Sequence, residues 1–184
     1  MGLAALLRLG DVLDVGSADG AAAGYLAPYC RSLTCIDTSP RMIEAAKVRL
    51  AKYPHASAQL ANVQDLPFHA SSFDCVLLFH TLTYAENPAQ AVSECARVLR
   101  PGGRVVLLSL DEHEHREITA PYGERHTGFA PREIRSLLSR AGLTVTFSDI
   151  ACREAKKPHF QVVLAIADKL EPALSKGAKP SKIG

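Results

Sequence analysis

Residues Asp14-Val15-Gly16-Ser17-Ala18-Asp19-Gly20 constrain this chain more than any other stretch. A short apolar run, Val12-Leu13, leads into them, and the small-residue segment Ala21-Ala22-Ala23-Gly24-Tyr25-Leu26 follows. The order is strand, tight glycine turn, helix. Gly16 and Gly20 let the backbone reverse sharply and come close to a ligand. The helix start presents unpaired N–H groups. A dinucleotide pyrophosphate normally takes G-x-G-x-x-G, which Gly16-Ser17-Ala18-Asp19-Gly20 does not match. Asp14, at the strand end, also disfavours a bare anion. A cationic nucleoside carrying an amino acid, as S-adenosylmethionine (SAM) does, fits this turn better. Its ammonium and sulfonium groups favour acidic and carbonyl oxygens.

At 184 residues the chain can bury the core of one domain. With 47% hydrophobic and 22% charged residues it has the composition of an ordinary globular protein. A formal net charge of +2 gives no electrostatic case for direct nucleic-acid binding. No apolar run is long enough to span a bilayer, and Met1 to Leu9 is too short and weakly built for a secretory signal. Cys30, Cys35, Cys75, Cys95 and Cys152 form no C-x-x-C pair, and their number is odd. They read as reduced, mostly buried thiols of a cytoplasmic protein.

Strands and helices alternate, which predicts an α/β fold with a mostly parallel sheet. Val12–Val15, Ser32–Ile36, Ser57–Ala61, Phe73–Phe79 and Arg104–Leu110 read as strands, with Phe73–Phe79 central because it is continuously apolar. Ser39-Pro40 caps a helix whose apolar stripe is Met42, Ala45, Ala46 and Leu50. Asn87-Pro88 starts another, with Ala91, Val92, Cys95, Val98 and Leu99 on one face, ended by Arg100-Pro101-Gly102-Gly103. Pro131 opens a helix bearing Ile134, Leu137, Leu138 and Ala141, stopped by Gly142. Leu143–Ile150 and Phe160–Ala167 read as a closing antiparallel pair. Arg97, Arg100 and Lys47 read as solvated helix faces. Residues 171–184 read as a disordered tail behind a domain covering 1–170. Asp111–Ala130 breaks the rhythm with His113, His115, His126, Tyr122 and Phe129 in no clean period; long irregular connections are usually functional.

The pattern over residues 11–167 resembles the class I SAM-dependent methyltransferases, specifically the UbiE-like small-molecule group. Asp14-x-Gly16-x-Ala18-x-Gly20 is similar to the motif that wraps the methionine part of SAM. Asp37 resembles the acid that holds the ribose hydroxyls. Asn62-Val63-Gln64-Asp65-Leu66-Pro67-Phe68 resembles the segment that reads adenine. Phe73-Asp74 with the strand to His80, and Leu99-Arg100-Pro101-Gly102-Gly103, resemble the fourth strand and the loop before the fifth. Ala18 stands where glycine is common, and Asn62 where aspartate often accepts from the adenine amino group. The resemblance implies a Rossmann-like, seven-stranded sheet of order 3-2-1-4-5-7-6 with helices on both faces. His80-Thr81-Leu82-Thr83-Tyr84-Ala85-Glu86 and His113-Glu114-His115 are similar to the methyltransferase half of bacterial proteins that carry an ArsR-type winged helix-turn-helix. The family's N-terminal lid segment has no counterpart before residue 11, which implies a fragment or a partner, or second copy, that covers the cofactor.

The resemblance implies a cofactor set of Asp14, Gly16, Ser17, Ala18, Gly20, Asp37, Thr38, Met42, Asn62, Val63 and Phe79. Asp37 lies 21 residues after Gly16, where two carboxylate oxygens take two ribose hydroxyls or cap the next helix. Asp14 serves the methionine amino group or a helix N-terminus. Thr38 and Met42 flank adenine, or are a turn hydroxyl and a core residue. Past the central strand, His80 is a candidate base or a satisfied buried histidine, and Tyr84 an acceptor contact or packing. His113, His115, Tyr122 and His126 line an acceptor pocket or a solvated loop, with His113 a second candidate base. His159 faces that pocket or solvent. No fixed-spacing motif supports a metal. The leading expectation is methyl transfer from SAM to a small-molecule acceptor. A non-catalytic SAM-sensing regulatory domain and an NAD-dependent oxidoreductase are the competing readings.

Overall fold

The computed structural model describes residues 9–171. β1 (Asp11–Val15), β2 (Ser32–Asp37), β3 (Ala56–Leu60), β4 (Phe73–Phe79), β5 (Leu99–Leu110), β6 (Thr144–Arg153) and β7 (Gln161–Asp168) form one sheet. Its order is β3-β2-β1-β4-β5-β7-β6, as expected. β1 to β5 pair in parallel, and β7 runs antiparallel between β5 and β6. The helices are α1 (Ala21–Leu26), α2 (Pro40–Leu50), α3 (Pro88–Val98), α4 (Arg116–Thr119) and α5 (Pro131–Arg140). Residues beyond 171, where the tail was expected, lie outside the described residues.

Period-two alternation in the strands builds two cores. Leu13, Val15, Val76 and Leu78 pack with Ala91 and Cys95 of α3 and Ile134 and Leu138 of α5. Val12, Leu33, Cys35, Cys75 and Leu77 pack on the other face with Ala23 of α1 and Leu50 of α2. β4 supplies both cores, which is why Phe73–Phe79 is apolar without alternation. Ser39 caps α2 by accepting from the Met42 N–H at 3.4 Å, and Asn87 caps α3 by accepting from the Gln90 N–H at 3.1 Å.

Several local expectations need correction. α2 buries Ile43, Ala46 and Leu50, the i, i+3, i+7 row, whereas Ala45 is exposed and Met42 half-buried. Leu99 is not on the α3 face but opens β5 opposite Phe73, and the register shifts before Cys75 pairs with Arg104. That shift absorbs Pro101, Gly102 and Gly103. Arg97 keeps part of its side chain in solvent but also makes structural contacts. It binds Glu94 and donates to the Phe68 and Leu66 carbonyls at 2.8 and 2.9 Å, which pins the 66–68 segment against α3. Lys47 does sit on a solvated face, paired with Glu44 at 2.7 Å. The 111–130 segment contains only α4 and a 3-10 turn, Ala120–Tyr122.

Arg100 belongs to a charged cluster at the N-terminal ends of β1 and β4. It reaches Asp11 at 2.9 Å and Asp74 at 2.8 Å. Arg31 forks onto Asp11 and also meets Asp74 at 3.0 Å, while the Asp11 N–H donates to Asp74 Oδ2 at 2.8 Å. The Arg31 hydrogen bonds hold the Asp11 carboxyl well below the usual range, against the opposing effect of burial. Burial pushes Asp74 up, but the Asp11 N–H, Arg100 and Arg31 outweigh it and the net shift is downward. A carboxyl lowered in the folded state stabilises above its unfolded value, about 4, and that stability disappears as pH falls. Arg31 is largely exposed, so the effect is modest. Asp11→Asn should cost about 1 kcal/mol at pH 7, and the gap to the parent should close below about pH 4, read by urea denaturation at each pH.

Candidate functional site

The C-terminal ends of β1, β2 and β4 open onto a cavity of about 660 Å³, the edge where open α/β sheets bind ligands. Its first wall is the turn after β1. The Gly16 and Ser17 N–H groups both donate to the Ile36 carbonyl, at 2.8 and 2.9 Å, so the turn folds over the end of β2. Gly16 has φ of 70°. A Cβ there would lie 2.7 Å from Thr81 Oγ1 and 2.8 Å from Thr81 Cγ2. The Thr81 hydroxyl donates to the Val15 carbonyl at 2.6 Å, so the end of β4 is locked against the same turn.

The second wall is Asp37. Its Oδ2 accepts from the Ala18 N–H at 3.0 Å and its Oδ1 from the Ser39 N–H at 2.9 Å. Each oxygen keeps a further lone pair for a ligand hydroxyl. Ala18 holds φ of 48°, a left-handed conformation costing about 1 kcal/mol for a side-chain-bearing residue. The Ala61 N–H bonds to the Asp37 carbonyl at 3.1 Å, which sets residues 61–64 along the third wall. Asn62 Oδ1 already accepts from the Gln64 N–H at 2.9 Å in an Asx turn, leaving its amide hydrogens and one lone pair.

Gly16, Ala18, Asp37, Thr38, Met42, Asn62, Val63, Phe79, His80, Tyr84 and Tyr122 all face this cavity. Asp14, Ser17 and Gly20 support it from behind. Asp14 is 1% exposed, and its Oδ2 has no partner. Burial, with Asp37 nearby, pushes its pKa up to about 7. Ser17 is buried, and its carbonyl accepts from the Gly20 N–H at 2.9 Å. Gln64, from the segment expected to read adenine, also faces the cavity, and Thr81, Glu86 and Arg125 do so without having been expected there. Thr81 directly follows the expected base His80, so its position was readable; Arg125 lies in the aperiodic loop and carried no signal.

The far end of the cavity is formed by His80, Tyr84, Tyr122 and Arg125. His80 holds φ of 56°, its N–H donating to the Leu108 carbonyl at 2.8 Å. Its ring is accessible, yet the surrounding protein lowers its pKa by burial, with Glu124 and Glu154 acting in opposition. His126 stands behind the wall, its Nε2 2.9 Å from the Ala85 carbonyl. His113 and His115 do not face the cavity. They pack on Phe160, with ring centroids 4.7 and 5.8 Å away. His113 Nδ1 accepts from the His115 N–H at 3.2 Å, which puts the proton on Nε2. His159 lies outside the cavity wall, its Nδ1 3.1 Å from the Glu154 carbonyl. Among the described residues no three His, Cys, Asp or Glu side chains gather as metal ligands do.

The packing at the turn gives a direct test. Gly16→Ala must push Thr81 away and adopt a strained φ, so it should cost about 2 kcal/mol or more. Ala18→Gly relieves strain at some cost in unfolded-state entropy and should add about 0.5 kcal/mol. Urea unfolding of both variants checks the two signs together.

A family model described as a methyltransferase domain matches residues 13–107. A demethylmenaquinone methyltransferase of Tropheryma whipplei (strain Twist) is 35% identical over 130 residues, covering 70% of this chain and 53% of that relative. The chain spans about half the length of the curated relatives it matches. Among solved structures, YcgJ from Bacillus subtilis superposes with a TM-score of 0.74 at 18% identity, over 91% of this chain and 95% of that one. The N-methyltransferase NodS from Bradyrhizobium japonicum WM9, in complex with S-adenosyl-L-homocysteine, superposes with a TM-score of 0.72 at 27% identity, over 88% and 79%. With its fold, its turn after β1 and more than half of its length matched by that model, the chain belongs to the methyltransferase-domain family.

Proposed function

We propose that this chain binds SAM and transfers its methyl group to a small-molecule acceptor. The observation that carries the reading is Asp37. It is a carboxylate at the end of β2, oriented through both oxygens by backbone N–H groups, with lone pairs left over a nucleoside-sized cavity. In this reading Asp37 takes the ribose hydroxyls. Thr38, Met42, Asn62 and Val63 surround adenine. Asp14, Gly16, Ser17, Ala18, Gly20 and Phe79 hold the methionine portion, and the orphaned Asp14 Oδ2 suits its ammonium group.

The bound SAM supplies a methyl group on sulfonium, activated for in-line displacement. The protein aligns donor with acceptor and excludes water. His80, neutral because its pKa is lowered, takes the acceptor's proton where the acceptor must lose one. Tyr84 and Tyr122 flank the acceptor, with Arg125 beside them. His126 and His115 support that loop, and His113 packs on Phe160 away from the cavity. The small-molecule character of the acceptor is supported by the similarity to a demethylmenaquinone methyltransferase. No helix among the described residues is long and apolar enough to cross a membrane. Cytoplasmic placement is part of the proposal, supported by five cysteines that are all free thiols. The exposed Tyr84 and Tyr122 at the rim suit a second copy or partner that covers the site.

Isothermal titration with SAM and S-adenosylhomocysteine tests this reading. The parent chain should bind both, and Asp37→Ala should weaken binding by about 2–4 kcal/mol, roughly 30- to 1,000-fold. A folded chain that binds neither molecule would overturn it.

Asp14 adds a pH dependence. Its pKa of about 7 must fall when an ammonium group binds beside it, so below that pH binding requires loss of a proton. Affinity should therefore drop, by up to about tenfold per pH unit, as pH falls from 7 towards 5.5, and Asp14→Asn should flatten that slope. An unchanged slope would remove Asp14 from the ammonium site.

A further inference from the structure

The loop from Gly123 to His126 is clamped to the turn that follows β4. The Arg125 and His126 N–H groups both donate to the Thr83 carbonyl, at 2.8 and 3.1 Å, and His126 Nε2 lies 2.9 Å from the Ala85 carbonyl. Gly123, at φ of 88°, reverses the chain just before this clamp. The backbone of Arg125 is thereby fixed at the end of the cavity that His80, Tyr84 and Tyr122 form. Its side chain is the one Lys or Arg on the cavity wall among the described residues. Arg31, Arg49, Arg97, Arg100 and Arg104 each pair with a carboxylate. No carboxylate among the described residues pairs with Arg125. Other arginines without such a partner, such as Arg41 and Arg132, lie off the cavity wall.

Resting on the methyl-transfer reading, we infer that Arg125 is a specificity-determining residue: it takes an anionic oxygen group, carboxylate or phosphate, carried by an aromatic acceptor. A guanidinium is a planar fork of N–H donors that fits either group through two hydrogen bonds. Tyr84 and Tyr122 stand on the same stretch of wall, 44% and 77% exposed, and offer ring faces to the body of such a molecule. The backbone clamp at Thr83 means that the root of the Arg125 side chain needs no ordering when the acceptor arrives. The charge on the donor favours the same partner. SAM brings a cationic sulfonium into a cavity whose far wall already carries a guanidinium. Two cations facing one cavity repel, and an anion held by Arg125 removes that repulsion.

Two acids flank Arg125 without satisfying it. Glu124, its chain neighbour, turns to the Thr83 hydroxyl, 3.5 Å from Oε1. Glu86 lies on the cavity wall but is exposed and forms no ion pair with Arg125. Asp37, the remaining carboxylate on the wall, is oriented by the Ala18 and Ser39 N–H groups at the opposite end. The cavity is thus acidic where the ribose hydroxyls are placed and basic where the acceptor enters. That separation selects against a cationic acceptor at the far end.

The test is a titration of the full chain, followed by NMR, with benzoate, phenyl phosphate and neutral benzamide, each with and without S-adenosylhomocysteine. At least one anion should bind about tenfold or more tightly than benzamide, and the stronger of the two tells carboxylate from phosphate. Arg125→Gln should erase that preference, and Arg125→Lys should keep part of it. Lys47→Gln, on a solvated helix face, should leave it as in the parent. Raising NaCl from about 0.05 to about 0.5 M should weaken the favoured anion and leave benzamide unchanged. Equal binding of all three probes overturns the inference, as does no saturable binding of either anion. A preference that survives in folded Arg125→Gln, or that is lost equally in Lys47→Gln, also overturns it. If Arg125→Gln does not fold, Arg125→Lys and the salt series on the parent decide, and an anion preference unmoved in both overturns the assignment. Failure of the parent to bind S-adenosylhomocysteine, with the Arg125-dependent preference intact, would instead count against methyl transfer and not against the anion site.

Discussion

The Ile36 carbonyl carries more of this structure than its size suggests. It accepts the N–H groups of both Gly16 and Ser17 just where β2 ends. That pair of bonds forces the turn after β1 to lie across the neighbouring strand, in place of continuing upward. It also brings Ala18 within reach of Asp37. On the other side, Thr81 ties the end of β4 to the Val15 carbonyl. Three strand ends are therefore fixed to one turn, and the cavity is the space left above them. Any side chain at Gly16 would break the Thr81 contact that completes the arrangement.

The two ends of the sheet divide the work. At the N-terminal ends of β1 and β4, Asp11, Arg31, Asp74 and Arg100 satisfy one another across four segments far apart in sequence. At the C-terminal ends the polar groups are left incomplete. Asp14 Oδ2, Ser17 Oγ and Glu124 Oε2 are buried without partners. Completing the polar contacts at one end fixes the register of β1 against β4. With that register fixed, the other end can leave groups unpaired. Such groups cost stability and are found where a ligand or a forming charge completes them.

The fold was largely readable because both periodicities are strong. The buried residues of β1 and the unbroken apolar run of β4 feed both cores of the sheet. The proline caps of α2, α3 and α5 mark where the helices start. That Gly16, Asp37 and Asn62 share one cavity was readable for the same reason: they sit at strand ends that the pattern already located. Tertiary hydrogen bonds were not readable. Nothing in the sequence shows that Arg97 caps the Leu66 and Phe68 carbonyls, or that Arg100 crosses to Asp11. Nor does it show that Asn62 spends its amide oxygen on Gln64. The far end of the cavity was the hardest to read. His113 and His115 are conspicuous in sequence but stack on Phe160, whereas Arg125 and Glu124 stand out in no pattern and are placed by two backbone bonds to Thr83.

Of the four non-glycine residues at positive φ among the described residues, Ser71 and His159 lie off the cavity and the other two lie on it. Ala18 and His80 both hold positive φ, and both face the cavity. Each costs about 1 kcal/mol relative to an ordinary conformation, so something must hold it there. For Ala18 the restraint is the Asp37 carboxylate, and for His80 it is the Leu108 carbonyl on the adjacent strand. The restraints differ in kind. Ala18 is held by the side chain that contacts the ligand in the proposed function, so the turn and the ribose site form one hydrogen-bonded unit. His80 is held by the sheet itself, independently of any ligand. The backbone of His80 is therefore set by the sheet, next to the loop that is clamped to the Thr83 carbonyl. A base on a free loop would need ordering at each turnover; in the proposed function a base at His80 stands on backbone already ordered by folding.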